Sequence, residues 1–219
     1  MLFDLRSRGR RRTVQAVYLG LAILMGGGLV LFGVGTGTGG GGLLNAFGGG
    51  SSNQKQVVSS DEKAALNRIK QNPNDATAWS ALVQARWTSA GQGNNFNAST
   101  GQFTDTGKKE LKATTQAWQK YLTLTKNPDP DVGVLAARAY SALGDYANQA
   151  ATWELVARAN PKEAKAFECL AASAYAAKQT RKGDLAAARA VQLTPKVQQL
   201  TVKTTLQQAK TNPQIAQSC

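Results

Sequence analysis

The sequence predicts an all-α domain of about three stacked helical hairpins with a capping helix at each end, reached through one apolar span and a Gly-rich stretch. Three observations carry this. The steps Asn127-Pro128, Asn160-Pro161 and Thr194-Pro195 lie 33 and 34 residues apart, and Asn72-Pro73 begins the series one insertion earlier. Proline cannot continue a helix, so its return at this period marks where one helical pair ends and the next begins. Six residues after Pro73, Pro128 and Pro161 stand Trp79, Val134 and Phe167, apolar anchors for the helix that follows. Finally, residues 14–34 (VQAVYLGLAILMGGGLVLFGV) are a nearly unbroken apolar run that cannot belong to a water-exposed surface.

In chain order, residues 1–13 form a basic tail with Arg6, Arg8, Arg10, Arg11 and Arg12 against the single acid Asp4. The 21-residue run at 14–34, as a helix rising about 1.5 Å per residue, matches a hydrocarbon layer of about 30 Å and predicts a transmembrane helix in contact with the lipid bilayer. Arginines before the span and no cation after it until Lys55 place the N-terminus in the cytoplasm and the remainder outside the cytoplasmic membrane. A cleaved signal peptide is the alternative; the run is longer than an ordinary signal core and no A-x-A site follows, which favours an uncleaved anchor. Residues 35–58 (GTGTGGGGLLNAFGGGSSNQKQVV) are read as a disordered Gly/Ser-rich linker with a reach of roughly 25 to 30 Å. No Lys-Ser or Lys-Thr follows these glycines, so they are not a phosphate loop.

The remaining residues, 59–219, carry the helical domain. Ser59-Ser60-Asp61-Glu62 reads as a helix start, and Ala65, Leu66 and Ile69 give that helix an apolar stripe. In the first pair, Trp79 and Leu82 precede an insertion at 91–107 (GQGNNFNASTGQFTDTG), which is expected to be a long inter-helix loop; a second helix at 108–126 then packs through Trp118 and Tyr121. The second pair is marked by Tyr140, Leu143-Gly144-Asp145-Tyr146 at its turn, and Trp153; the third by Phe167, Leu170, Ala171 and Ala190. Residues 197–209 are expected to cap the stack, with Val197, Leu200 and Leu206 as the apolar positions. The period, the large aromatic and leucine early in the first helix of the first and third pairs (Trp79 and Leu82; Phe167 and Leu170), and Ala190 before Pro195 resemble the tetratricopeptide repeat (TPR) family over residues 74–195, the second pair matching more loosely. The overall layout is similar to that of bacterial single-pass membrane-anchored TPR proteins.

The sequence contains no histidine, which removes Ser-His-Asp and Cys-His nucleophile systems and His-ligated metals. Two cysteines 50 residues apart cannot hold zinc alone, and Asp129-Pro130-Asp131 sits where an Asp caps a helix. No enzyme activity, cofactor or metal is therefore expected. Past the N-terminal tail, 21 basic residues face 12 acids, so anionic partners are favoured. Nucleic acid is not expected outside a membrane.

The TPR resemblance implies a groove lined by the first helix of each pair. At this chain's positions these are Ser80, Gln84 and Trp87, then Arg138 and Ser141, then Lys165, Glu168, Ala172 and Tyr175, with Trp87 and Tyr175 as the expected aromatic anchors. It implies a scaffold that binds a protein or peptide partner near the membrane as an accessory to secretion or envelope assembly. The alternative is a structural envelope protein held to anionic lipid or cell-wall polymer by its basic surface. Cys169 and Cys219, an even pair outside the cytoplasm, are expected to form a disulfide, the last residues turning at Thr211-Asn212-Pro213 to run back along the third pair.

Overall fold

The computed structural model describes the backbone of residues 51–219 and the side chains from Ser60 onward. The basic tail, the apolar span and the Gly-rich residues up to position 50 lie outside the described residues. Residues 55–219 form one compact unit, which holds every helix pair among the described residues.

The described chain is almost entirely helical, with one minimal pair of strands. Helix α1 (Ser51–Gln71) starts eight residues earlier than the sequence suggests. Residues 51–58 are thus helix, not linker. The Gly run stops at Gly50, and Gln54, Lys55 and Gln56 are good helix formers, so a helix nucleated further on extends backward at little cost. Ala65 is buried, and Leu66 and Ile69 pack with it against Leu82 and Val83 of α2 (Ala76–Ala90). Glu62 ties α1 to Arg86 Nε at 3.0 Å, and Arg86 Nη1 also donates to the Ala113 carbonyl.

Asp75 caps α2 by accepting from the Ala78 amide, and Trp79 Nε1 donates to the Pro73 carbonyl, fixing the chain's entry into the helix. The insertion is not a plain loop. A 3₁₀ turn (Gly93–Asn95) leads into β1 (Phe96–Asn97), which pairs antiparallel with β2 (Gln102–Phe103), Phe96 opposite Phe103. Phe103 touches both Phe96 (centroids 5.1 Å) and Trp87 (6.3 Å), so three aromatic rings bind the insertion to the end of α2. Thr104 then caps α3 (Asp105–Leu124), whose Trp118 and Tyr121 are buried and in ring contact.

Tyr121 Oη accepts from the Asp129 amide, linking the end of the first pair to the start of the next. Asp129 caps α4 (Pro130–Ala142), with Pro130 at the helix start where its missing N–H costs nothing. Gly144, at φ +73°, makes the turn to α5 (Tyr146–Ala159), capped by Asp145. Helices α6 (Ala164–Ala176) and α7 (Thr180–Leu193) form the third pair. Each helix from α2 to α7 packs on its neighbours in sequence. One apolar core centres on Leu82, Trp118 and Val132; the next on Trp153, Leu170 and Cys169.

Helix α8 (Lys196–Ala209) packs on α6 and α7 through Leu206 and Ala209. Of its three expected apolar positions only Leu206 is buried. Val197 and Leu200 are 90 % and 75 % exposed, because the face of α8 turned to the stack runs through Gln199, Val202, Leu206 and Ala209 and these two lie off it. After α8 the chain turns at Asn212 into a 3₁₀ segment (Pro213–Ser218) that runs back over α6, α8 and α4. There Cys219 is joined by a disulfide to Cys169, with Cα atoms 5.5 Å apart.

Candidate functional site

The residues expected to line one continuous groove are divided by the 3₁₀ segment. Arg138 and Ser141 of α4, with Trp87, open on one side of it; Lys165, Glu168 and Ala172 of α6 open on the other. Ser218 and Cys219 border both sides. Ser80 hydrogen-bonds back to the Thr77 carbonyl within its own helix, and Gln84 is exposed; neither borders either opening.

Tyr175 departs most from expectation. It is buried at 7 % exposure, its ring against Gly183 of α7, where an added Cβ would overlap the ring atoms. Its hydroxyl donates to Asp184 Oδ1 at 2.8 Å, and Lys210 Nζ stands 5.2 Å from the ring centroid and 2.7 Å from Asp184. Burial, then the hydrogen bond and charge of Asp184, raise the phenol well above the ordinary tyrosine range. Hydrogen bonds from Lys210 and Tyr175 lower the Asp184 carboxyl. Tyr175 is thus an α6–α7 packing residue and not a groove anchor. Gly183 was the available sign in the sequence, since a glycine on the facing helix admits a large ring.

The larger opening is a cleft of about 590 Å³. Trp87 and Phe103 supply an aromatic wall, Lys108 from the first turn of α3 and Arg138 from α4 supply two cations, and Ser141 with Gln217 to Cys219 closes the remaining side. No acidic side chain lines it. Arg138 Nε donates to the Cys219 main-chain oxygen at 3.3 Å, and among the described residues no Asp or Glu side chain pairs with its guanidinium. Lys108 has only a long contact, 3.9 Å, to Asp105, which is almost fully exposed. In this surrounding the fork of Arg138 is suited to a carboxylate and the aromatic wall to an apolar side chain.

The smaller opening, about 200 Å³, is bounded by α6, α8 and Ile215, and there Lys165 and Glu168 satisfy each other at 3.7 Å. Between the openings the 3₁₀ segment is held by Gln149 of α5, which is fully buried. Its Nε2 donates to the Ala216 carbonyl at 2.8 Å, while its Oε1 has no partner. Ser141 Oγ reaches the same carbonyl at 3.4 Å, and Gln217 Nε2 donates to Tyr146 Oη at 3.1 Å.

Phe103, Gln102, Gln149 and the 3₁₀ segment were missed as site residues. The hairpin carried a weak signal, the two phenylalanines Phe96 and Phe103 in an otherwise polar insertion; Gln149 carried none, because its role depends on a segment 67 residues away. Among the described residues no group of three or more metal-ligating side chains is gathered, and no helix is long and apolar enough to cross a membrane. The sequence matches no protein-family model and no curated protein.

Proposed function

We propose that this chain is a membrane-anchored interaction module whose cleft takes a short acidic peptide segment of a partner protein outside the cytoplasmic membrane. The observation that carries this is the cleft itself: two cations in a lining that holds no acidic side chain, next to a half-buried aromatic wall, in an opening large enough for several side chains. A carboxylate of the partner would pair with Arg138 and Lys108 while a neighbouring apolar side chain lies on Trp87 and Phe103.

The membrane location rests on the apolar run at 14–34 and the arginines before it. The TPR assignment rests on the 33- and 34-residue proline spacing, which the sequential packing of α2 to α7 supports. A scaffold beside secretion or envelope-assembly machinery is the role that best fits such a layout.

Titration of the purified chain with a fluorescent peptide carrying two Glu beside a Phe tests the reading. Saturable binding that Arg138→Glu weakens by tenfold or more, about 1.4 kcal/mol, is expected. Equal loss for Arg138→Glu and for a distant exposed charge reversal such as Lys120→Glu, with binding abolished by moderate salt, would instead favour a basic surface held to anionic polymer or lipid.

A further inference from the structure

The segment dividing the two openings occupies the face where a longer ligand would lie. We propose that the cleft is one end of a longer peptide groove which the chain's own Pro213–Ser218 segment keeps closed, with the Cys169–Cys219 disulfide as the latch, and that a dithiol reductant opens it. This rests on the reading of the cleft as a peptide site and adds its regulation.

Three features point this way. The polar hold on the segment's buried centre is on the main-chain carbonyl of Ala216, which accepts from Gln149 and Ser141. Any peptide offers the same carbonyl, so the seat is not specific to this segment. Gln149 is fully buried, yet its Oε1 is left without a partner. A carboxamide whose N–H binds a backbone carbonyl and whose oxygen stands ready for a backbone N–H is the arrangement that reads one residue of an extended peptide, and the closed segment satisfies half of it. Finally, Arg138, half of the cleft's charge, spends its Nε on the Cys219 main-chain oxygen and recovers it when the segment leaves.

The bond can be approached from one side only. Cys169 has no exposed surface, whereas Cys219, 9 % exposed, borders both openings. A thiolate of the dithiol attacks Cys219 Sγ and forms a mixed disulfide there, and Cys169 leaves as a thiolate that takes up a proton. The second thiol of the reductant then displaces Cys219, so the protein disulfide gains two electrons and two protons and the dithiol becomes a cyclic disulfide. The segment then keeps the short connection from α8 and a few hydrogen bonds but no covalent tie to α6.

Hydrogen exchange on the full-length chain, oxidised and after dithiothreitol, tests the latch without any peptide. Reduction is expected to speed exchange at residues 212–219 by tenfold or more while α4 to α7 keep their protection. A segment that stays protected, or a loss of protection that spreads through α6 and α7, overturns the latch; neither result touches the cleft titration of the oxidised chain, so the two readings fail separately. A labelled peptide of sequence NPQIAQSS is the groove probe. It should bind the reduced chain and Cys219→Ser at least tenfold more tightly than the oxidised chain, and Gln149→Leu in the Cys219→Ser background should weaken it again. Equal binding to oxidised and reduced chain, or no binding to either, overturns the groove.

Discussion

Gly183→Ala is an ordinarily favourable change that should be unfavourable here, and its sign reports whether α6 and α7 meet on the Tyr175 ring. In a solvent-facing helix the exchange gains about 1 kcal/mol of helix propensity. Gly183 is buried, and its new methyl would overlap the ring of Tyr175, so the ring must turn or the helices must part, at about 1 to 3 kcal/mol for overpacking. The net result is destabilisation by up to about 2 kcal/mol. Tyr175→Ala alone should cost about 3 kcal/mol, the lower end for an aromatic truncation, because the ring already borders a depression of about 300 Å³ that lets water reach the void. Once the ring is gone the clash is gone, so Gly183→Ala added to Tyr175→Ala should recover about 1 kcal/mol. Urea unfolding of the four proteins, with the disulfide intact, gives the cycle. If Gly183→Ala stabilises the parent as much as it stabilises Tyr175→Ala, the two helices do not meet on that ring, and Tyr175 returns as a candidate for binding.

The other tryptophan and tyrosine tests rest on the same distinction between core and cleft. Trp153→Ala, buried in the second core, should cost about 3 kcal/mol, at the low end since its Nε1 is buried without a partner; Trp87→Ala, half-buried, should cost under about 2 kcal/mol yet weaken the acidic peptide by tenfold or more, both read by urea unfolding and peptide titration. Burial raises the phenols of both Tyr140 and Tyr175, with Asp184 adding to the second. Their contribution to stability is therefore complete below the unfolded tyrosine pKa of about 10 and falls as the pH rises above it toward the folded values. Urea midpoints should drop between pH 9.5 and 11, and Tyr175→Phe should flatten part of that fall; an unchanged slope would mean that Tyr175 ionises freely.

The helical pairs were legible because proline and the large apolar residues act locally. Pro130 fixes a helix start and Trp118 and Trp153 fill the space between adjacent helices, whatever the rest of the chain does. The cleft was half legible. Trp87, Arg138 and Ser141 followed from the repeat pattern, but the hairpin that walls them has strands of two residues, too short for any alternation to register. The start of α1 was misplaced for a related reason: Ser59 to Glu62 has the composition of a cap, but a cap is only needed where a helix has no turn before it. The seat of the 3₁₀ segment was least legible. It depends on the Ala216 carbonyl meeting Gln149, a contact between a backbone atom and a residue on a different helix, for which composition and period carry no trace.

Site-directed photocrosslinking from position 102 shows directly whether the cleft seats an acidic segment of a partner outside the membrane. Gln102 lies on the hairpin at the cleft and is exposed, so a photoreactive side chain there should leave the fold intact. Wall-stripped cells carrying the full-length chain would be irradiated with the cytoplasmic membrane sealed, and adducts sequenced to find the captured segment. A discrete adduct on an acidic segment exposed outside the membrane is expected, lost with Arg138→Glu and absent when the same group replaces Lys120. Adducts that persist with Arg138→Glu, or that map to cytoplasmic proteins, would contradict it.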